Sequence, residues 1–145
     1  MRKPKMPPGT ADDTETAFYD ALQHADIDRL MACWADDDEI VCVQPGGPRV
    51  VGHSAIRATF DAMFANGAVL AHPEKVRRLD AGHFSVHSVV ERVEIMSDDG
   101  PQHAWVVATN VYAKTAQGWR LVAHHASPGS RTEPLEVTTA KPLLH

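Results

Sequence analysis

Long apolar runs are missing from this chain. Nowhere do consecutive hydrophobic residues approach the ~20 needed to cross a bilayer, so the sequence predicts no membrane span. An excess of positive charge is missing too. Fourteen Lys and Arg against 19 Asp and Glu leave a net charge of −5, which speaks against general nucleic-acid affinity, because holding a phosphate backbone takes a basic surface. Cysteine is scarce: Cys33 and Cys42 stand in no C-x-x-C spacing and read as small core or pocket residues rather than as a redox pair or zinc ligands. The basic start MRKPKMPPGT has no hydrophobic stretch behind it of the kind a secretory signal needs. A cytoplasmic protein with reduced thiols is the expectation. Also absent are a nucleophile elbow, a P-loop, a G-x-G-x-x-G turn, a Ser-His-Asp signature and a zinc motif. No cofactor is expected.

What is present is the composition of an ordinary globule, 43% hydrophobic and 23% charged over 145 residues, enough for one domain to bury its own core. The organisation expected is an N-terminal arm over residues 1–10, a domain over 11–129 and a polar, proline-bearing tail over 130–145. Phe18, Ala21, Leu22 and Ala25 recur at helical spacing and predict a first helix over 11–24. Thr10 and Asp13 resemble its capping box. Asp26 reads as a new N-cap for a short second helix with Ile27, Leu30, Met31 and Trp34 on one side. A strand over 39–43, a turn at Pro45-Gly46-Gly47-Pro48 and a brief return strand over 49–51 follow. A third helix is predicted over 55–65, with Asn66-Gly67 as its stop.

From there the pattern is strand: about 68–80, 84–96, 103–114 and 119–127, separated by short hairpin sequences such as Ala81-Gly82 and Ala116-Gln117-Gly118. Pro73 marks the first of these as an edge strand or a kinked one. Helices first and a meander of long strands after them give an α+β fold. The expectation is three N-terminal helices packed on a strongly curved, mixed but mainly antiparallel sheet. Strands of a dozen residues must twist and curl, and helices over the concave face leave a cone-shaped pocket.

The stretch Ala108-Thr109-Asn110-Val111-Tyr112, leading through Gln117-Gly118-Trp119-Arg120-Leu121-Val122 to His124-His125-Ala126-Ser127-Pro128, resembles the SnoaL-like branch of the nuclear transport factor 2-like superfamily. So does Trp34-Ala35-Asp36-Asp37 with Gln44-Pro45 and Gly52-His53-Ser54-Ala55-Ile56. The resemblance covers about residues 11–129. It implies the fold and leaves the chemistry open, because this superfold hosts isomerases, cyclases, dehydratases and non-catalytic modules. Ketosteroid isomerases of the superfamily carry a catalytic aspartate just before a proline in the first strand. Here that residue is Gln44, which cannot act as a carboxylate base. The last strand also resembles the association domain of calcium/calmodulin-dependent protein kinase II through Trp119 and His125-x-Ser127. That domain lines its pocket with arginines at the positions of Glu91, Asn110 and Ala126, so the resemblance implies a tendency to oligomerise without the anion site.

Adjacent His124 and His125 must point to opposite faces of their strand. The alignment places His124 inward with Asn110, as pocket lining or as core, and His125 outward. Glu91 shares a face with His87, Val89 and Val93. Buried in a cavity, its carboxyl would have a raised pKa and act as an acid or base with His124; the competing reading is a salt bridge near Arg92 or to Arg120. His87, Glu91 and His124 form a two-histidine, one-carboxylate set on paper, without the tight spacing of a metal site, and no metal is expected. The candidate pocket residues are Tyr19, Trp34, Cys42, Gln44, Phe60, Met63 and Asn110, with Glu91 and His124 as candidate catalytic groups. Three functions remain open: binding of a small organic molecule, acid–base catalysis of an isomerase, cyclase or dehydratase type, and a non-catalytic module that homodimerises through the convex sheet face.

Overall fold

Thr10 turns the chain into its first helix. Its extended backbone lets the side-chain oxygen accept from the Asp13 amide at 3.1 Å, so one otherwise unpaired donor of the first turn is satisfied. The computed structural model describes residues 9–139. Most of the predicted arm, residues 1–8, and the end of the predicted tail, 140–145, lie outside the described residues.

Helix α1 runs Ala11–Gln23 and α2 runs Ile27–Ala32, the latter capped by Asp26 accepting from the Arg29 amide. Strands β1 (Val41–Val43) and β2 (Arg49–Val51) form a small hairpin, and α3 (His53–Phe64) follows directly. Gly52 makes that junction with φ of +92°, a backbone conformation that costs glycine little, while its amide donates to the Ile40 carbonyl at 2.8 Å. The long strands are β3 (Ala71–Ala81), β4 (Phe84–Ser97), β5 (Gly100–Thr115) and β6 (Gly118–Ala126).

The six strands lie in the order β2-β1-β6-β5-β4-β3, antiparallel throughout except for the parallel pairing of β1 with β6. This is the mixed, mainly antiparallel sheet that the sequence predicts. Pro73 does sit on an edge strand, and β3 carries a register shift between Glu74 and Arg77, with Lys75 at φ of +48°. A second shift on β6 opposite Val111 and Tyr112 adds a residue there. Such bulges bend a strand and sharpen its twist, which helps the sheet wrap around the helices.

One face of the sheet is inward. Ser85, His87, Val89 and Glu91 of β4 are buried, as are Val106, Ala108, Asn110 and Tyr112 of β5. The register aligns His87, Asn110, His124 and Cys42 in one row across β4, β5, β6 and β1. Helix α1 lies over this face. Its Phe18 is fully buried and meets Tyr19, Trp34 and Phe60 edge to face, with centroids 5.1, 6.3 and 6.4 Å away. Its burial contributes about 1.5–3 kcal/mol by apolar area alone, and it ties all three helical segments to the sheet.

After β6 the chain continues across the outer face. Ser130 pairs with Trp105, Glu133 meets Lys75, and Glu136 accepts from Arg77 Nε at 2.6 Å. Residues 130–137 of the predicted tail are thus laid against the convex side of β3, β4 and β5.

Candidate functional site

Between the sheet and helices α1 and α3 lies a cavity of about 240 Å³. Its walls are mostly apolar: Leu22 from α1, Phe60 and Met63 from α3, Val69 and Ala71 at the start of β3, and Val93, Ile95, Ala104 and Val106 along the β4–β5 hairpin. Gly129 and Pro45 close two of its edges. Three polar side chains reach it, Gln44, Glu91 and His124.

Glu91 and His124 are each largely enclosed, 6% and 4% exposed, and neither meets an oppositely charged partner among the described residues. The salt bridge considered for Glu91 does not form: Arg92 points outward to Glu74 and Glu94, and Arg120 donates to the Trp119 carbonyl. Instead Tyr19 donates its hydroxyl proton to Glu91 Oε2 at 2.6 Å. Burial outweighs that hydrogen bond and pushes the Glu91 carboxyl up from 4.5 to about 7, with the Glu15 carboxylate adding to the rise. His124 moves the opposite way. Desolvation, and then the neighbouring His125, hold it down at about 4, so at neutral pH the ring is uncharged. Its Nδ1 lies 2.5 Å from Asn110 Oδ1. A carbonyl oxygen only accepts, so Nδ1 carries the proton and Nε2 is the ring's acceptor, with no hydrogen bond among the described residues.

The chain of contacts continues behind the cavity. Asn110 Nδ2 donates to the Tyr19 hydroxyl at 3.0 Å and reaches Glu15 Oε2 at 3.5 Å. The same Glu15 oxygen accepts from Tyr112 at 2.7 Å and lies 2.9 Å from His87 Nδ1. His87 Nε2 is 3.0 Å from Ser85 Oγ, and Ser85 donates to Asp80 at 2.6 Å. Carboxylate, imidazole and hydroxyl in that order have the connectivity of a hydrolase triad. The hydroxyl proton, however, is given to Asp80 rather than to His87, and Ser85 is 1% exposed. A serine in that state is not a nucleophile; it is the end of a buried polar network.

Of the residues singled out from sequence, Gln44, Phe60, Met63, Glu91 and His124 line the cavity. Tyr19 and Asn110 stand behind Glu91 and His124 and hold them. Cys42 is fully buried, burial raises its thiol to about 12, and it accepts from Gln44 Nε2 at 3.4 Å. Trp34 is not on these walls. It bridges to Leu121 at the other end of β6 and lines a separate hollow with Met31, His53 and Arg120, its indole N–H without a hydrogen-bond partner among the described residues. His87 also sits away from the cavity, at a polar cleft with Asp12, Arg78 and Asp80. Among the described residues no group of three or more His, Cys, Asp or Glu is arranged to hold a metal ion, and no helix is long and apolar enough to cross a membrane.

Sequence reading missed Glu15, the acceptor on which three side chains converge. The signal was present: positions 11, 15, 18 and 22 form one helical stripe, and a glutamate within an apolar stripe is an anomaly.

Comparison with known proteins agrees with this architecture. Residues 12–130 match the family model described as the SnoaL-like domain. Among solved structures, a Thiobacillus denitrificans protein assigned as a calcium/calmodulin-dependent protein kinase type II association domain is 35% identical, with TM-score 0.75 over 87% of this chain and 98% of that one. A Streptomyces avermitilis protein of the NTF2-like family, assigned as a dehydratase, is 28% identical, with TM-score 0.70 over 79% and 91%. The calcium/calmodulin-dependent kinase II hub of S. rosetta, 22% identical with TM-score 0.66 over 86% and 100%, shares the fold. No curated protein matches the chain.

Proposed function

Because the chain belongs to the SnoaL-like domain family, we propose that its cavity binds a small, mainly apolar organic molecule through one polar group, met by Glu91 and His124. The observation that carries this reading is the composition of the walls: nine apolar side chains around the ends of three hydrogen-bonding groups, Gln44, Glu91 and His124. Predominantly apolar walls with a small number of placed polar groups are the usual make-up of a small-molecule site. A ring or short chain bearing a carbonyl or hydroxyl fits that lining; a phosphate or a dianion does not, since no cation among the described residues faces the space. Native mass spectrometry of protein taken directly from its source tests the proposal. The expected result is a bound species of low mass that is released on denaturation. A bound polyanion would contradict it.

The paired protonation states favour acid–base chemistry on that molecule. Around pH 6, Glu91 is largely protonated and His124 is neutral, so one can donate to a carbonyl oxygen while the other accepts a proton from the adjacent carbon. Isomerisation, aldol-type cyclisation and dehydration of a carbonyl compound can each begin with such an enolisation step. The dehydratase assignment of the Streptomyces relative is in keeping with that class.

A homodimer through the convex face is proposed alongside. Its support is the association-domain assignment of the Thiobacillus relative. Since segment 130–137 already lies against Lys75, Arg77 and Val90, the surface left for a second copy centres on Thr109 and His125, at the β5–β6 side.

A further inference from the structure

We infer that Glu15, which does not reach the cavity, is the positioning residue that fixes which ring nitrogen of His124 and which oxygen of Glu91 are offered to a ligand. The inference rests on the reading of Glu91 and His124 as the working pair, and extends it to the group that sets their polarity.

Each hydrogen bond inward from Glu15 has a fixed direction. Its Oε2 lies within 2.7 to 3.5 Å of Tyr112 Oη, His87 Nδ1 and Asn110 Nδ2. A carboxylate accepts and does not donate. Whatever Asn110 turns toward it must therefore be the NH₂ end of the amide, because the carbonyl end would set two acceptors against each other in a buried space. With the NH₂ end committed there, its second hydrogen goes to the Tyr19 hydroxyl at 3.0 Å. The Tyr19 oxygen, now an acceptor, spends its own proton on Glu91 Oε2 at 2.6 Å. Oε1 is left as the oxygen free to carry the Glu91 proton.

On the other side the Asn110 carbonyl faces His124 and can only accept, at 2.5 Å from Nδ1. His124 is thereby committed to the Nδ1–H tautomer, with its Nε2 lone pair available to the cavity. All four hydrogen-bonding sites of the Glu15, Asn110 and Tyr19 junction are matched in this arrangement. Reversing the amide would set its carbonyl against the Glu15 carboxylate and turn its NH₂ end to His124, which would then take the Nε2–H tautomer.

Tyr112 and His87 do a different job. They solvate the Glu15 charge from the far side, and neither hydrogen-bonds to Asn110 among the described residues. A glutamine at position 15 would present an amide of its own, able to offer either end. Asn110 would then lose its reason to point one way, and His124 its reason to keep one tautomer.

The test is the tautomer of His124 in ¹⁵N-labelled, ligand-free protein, read from long-range ¹H–¹⁵N correlations of the imidazole near neutral pH. Wild-type protein is expected to show a protonated Nδ1 and a bare Nε2. In Glu15→Gln the preference for that tautomer falls by roughly tenfold or more, as loss of one hydrogen bond to a charged group implies. Tyr112→Phe keeps the carboxylate and removes only a far-side donor, so its tautomer stays as in wild type. If Glu15→Gln does not fold, the double variant Glu15→Gln/His87→Leu removes the orphaned imidazole as well and carries the same expectation. A wild-type ring protonated at Nε2, or an unchanged tautomer in a folded Glu15 variant, overturns the inference. Because no ligand is present, this outcome is separate from whether the cavity binds or transforms anything.

Discussion

Tyr19 on α1 and Glu91 on β4, 72 positions apart in sequence, are joined by a buried hydrogen bond of 2.6 Å in which the phenol donates to the carboxylate. Among the described residues it is the one contact that favours the ionised form of Glu91 against its burial, and it fastens the first helix to the polar end of the cavity.

Tyr19→Phe removes that donor and also leaves Asn110 Nδ2 without one of its acceptors. The Glu91 carboxyl is expected to titrate above its present value of about 7, and unfolding free energy to fall by about 1–3 kcal/mol, the cost of stranding a buried polar group. Carboxyl ¹³C titration and urea unfolding check the two effects. A titration midpoint that stays put or falls would mean that the hydrogen bond is not made.

Glu91→Gln should change the pH dependence of stability in a defined direction. The carboxyl's folded pKa of about 7 lies above its unfolded value near 4.5. The stability linked to Glu91 is thus fully present below about pH 4.5 and is lost as pH rises through 7. A glutamine has no such loss. Relative to wild type, the variant is expected to gain on the order of 3 kcal/mol between pH 4 and pH 8, measured by denaturant unfolding at each pH. A stability difference that is flat across that range would contradict the raised carboxyl.

For a substrate of the proposed class, the pH–rate profile should be a bell. His124 works as a base only when neutral, above about pH 4, and Glu91 as an acid only when protonated, below about pH 7. Each limb is expected to fall about tenfold per pH unit outside that window. A rate that instead rises through pH 7 would reassign Glu91 as the base.

Ser85 should resist a fluorophosphonate probe, and Ser85→Ala should leave any turnover in the cavity unchanged. Its proton belongs to Asp80 at 2.6 Å and its oxygen is enclosed. Labelling at Ser85, read by peptide mass spectrometry, would show the hydroxyl to be freer than its hydrogen bonds allow.

How much of this was legible in the sequence depends on whether a signal is local. Thr10 and Asp26 announce their helices because a capping side chain acts within three residues, and α1 and α2 begin where expected. Helix α3 starts at His53, two residues earlier than the pattern suggests, because Gly52 caps it with backbone geometry and no side chain. Alternation set His124 and His125 on opposite faces of β6 and Glu91 on one face with His87, and the family alignment then turned Asn110 and His124 inward. Trp34 was misplaced at the cavity because the turn after α2 sends it to Leu121, and that direction is a tertiary matter. Glu15 was passed over among Asp12 and Asp13, which look like the acids of any first turn; its partners lie 72 to 97 residues away.

The central claim is that the space beside Glu91 and His124 takes a small apolar molecule with one polar group. Titration of methyl-labelled protein with phenol, followed by NMR, tests it most directly when repeated on Ala104→Phe, which fills the wall. Saturable shifts are expected at the methyls of Val69, Val93 and Val106 in wild type, and their loss in the variant. Absence of saturable shifts in wild type, or identical shifts in both proteins, would contradict it.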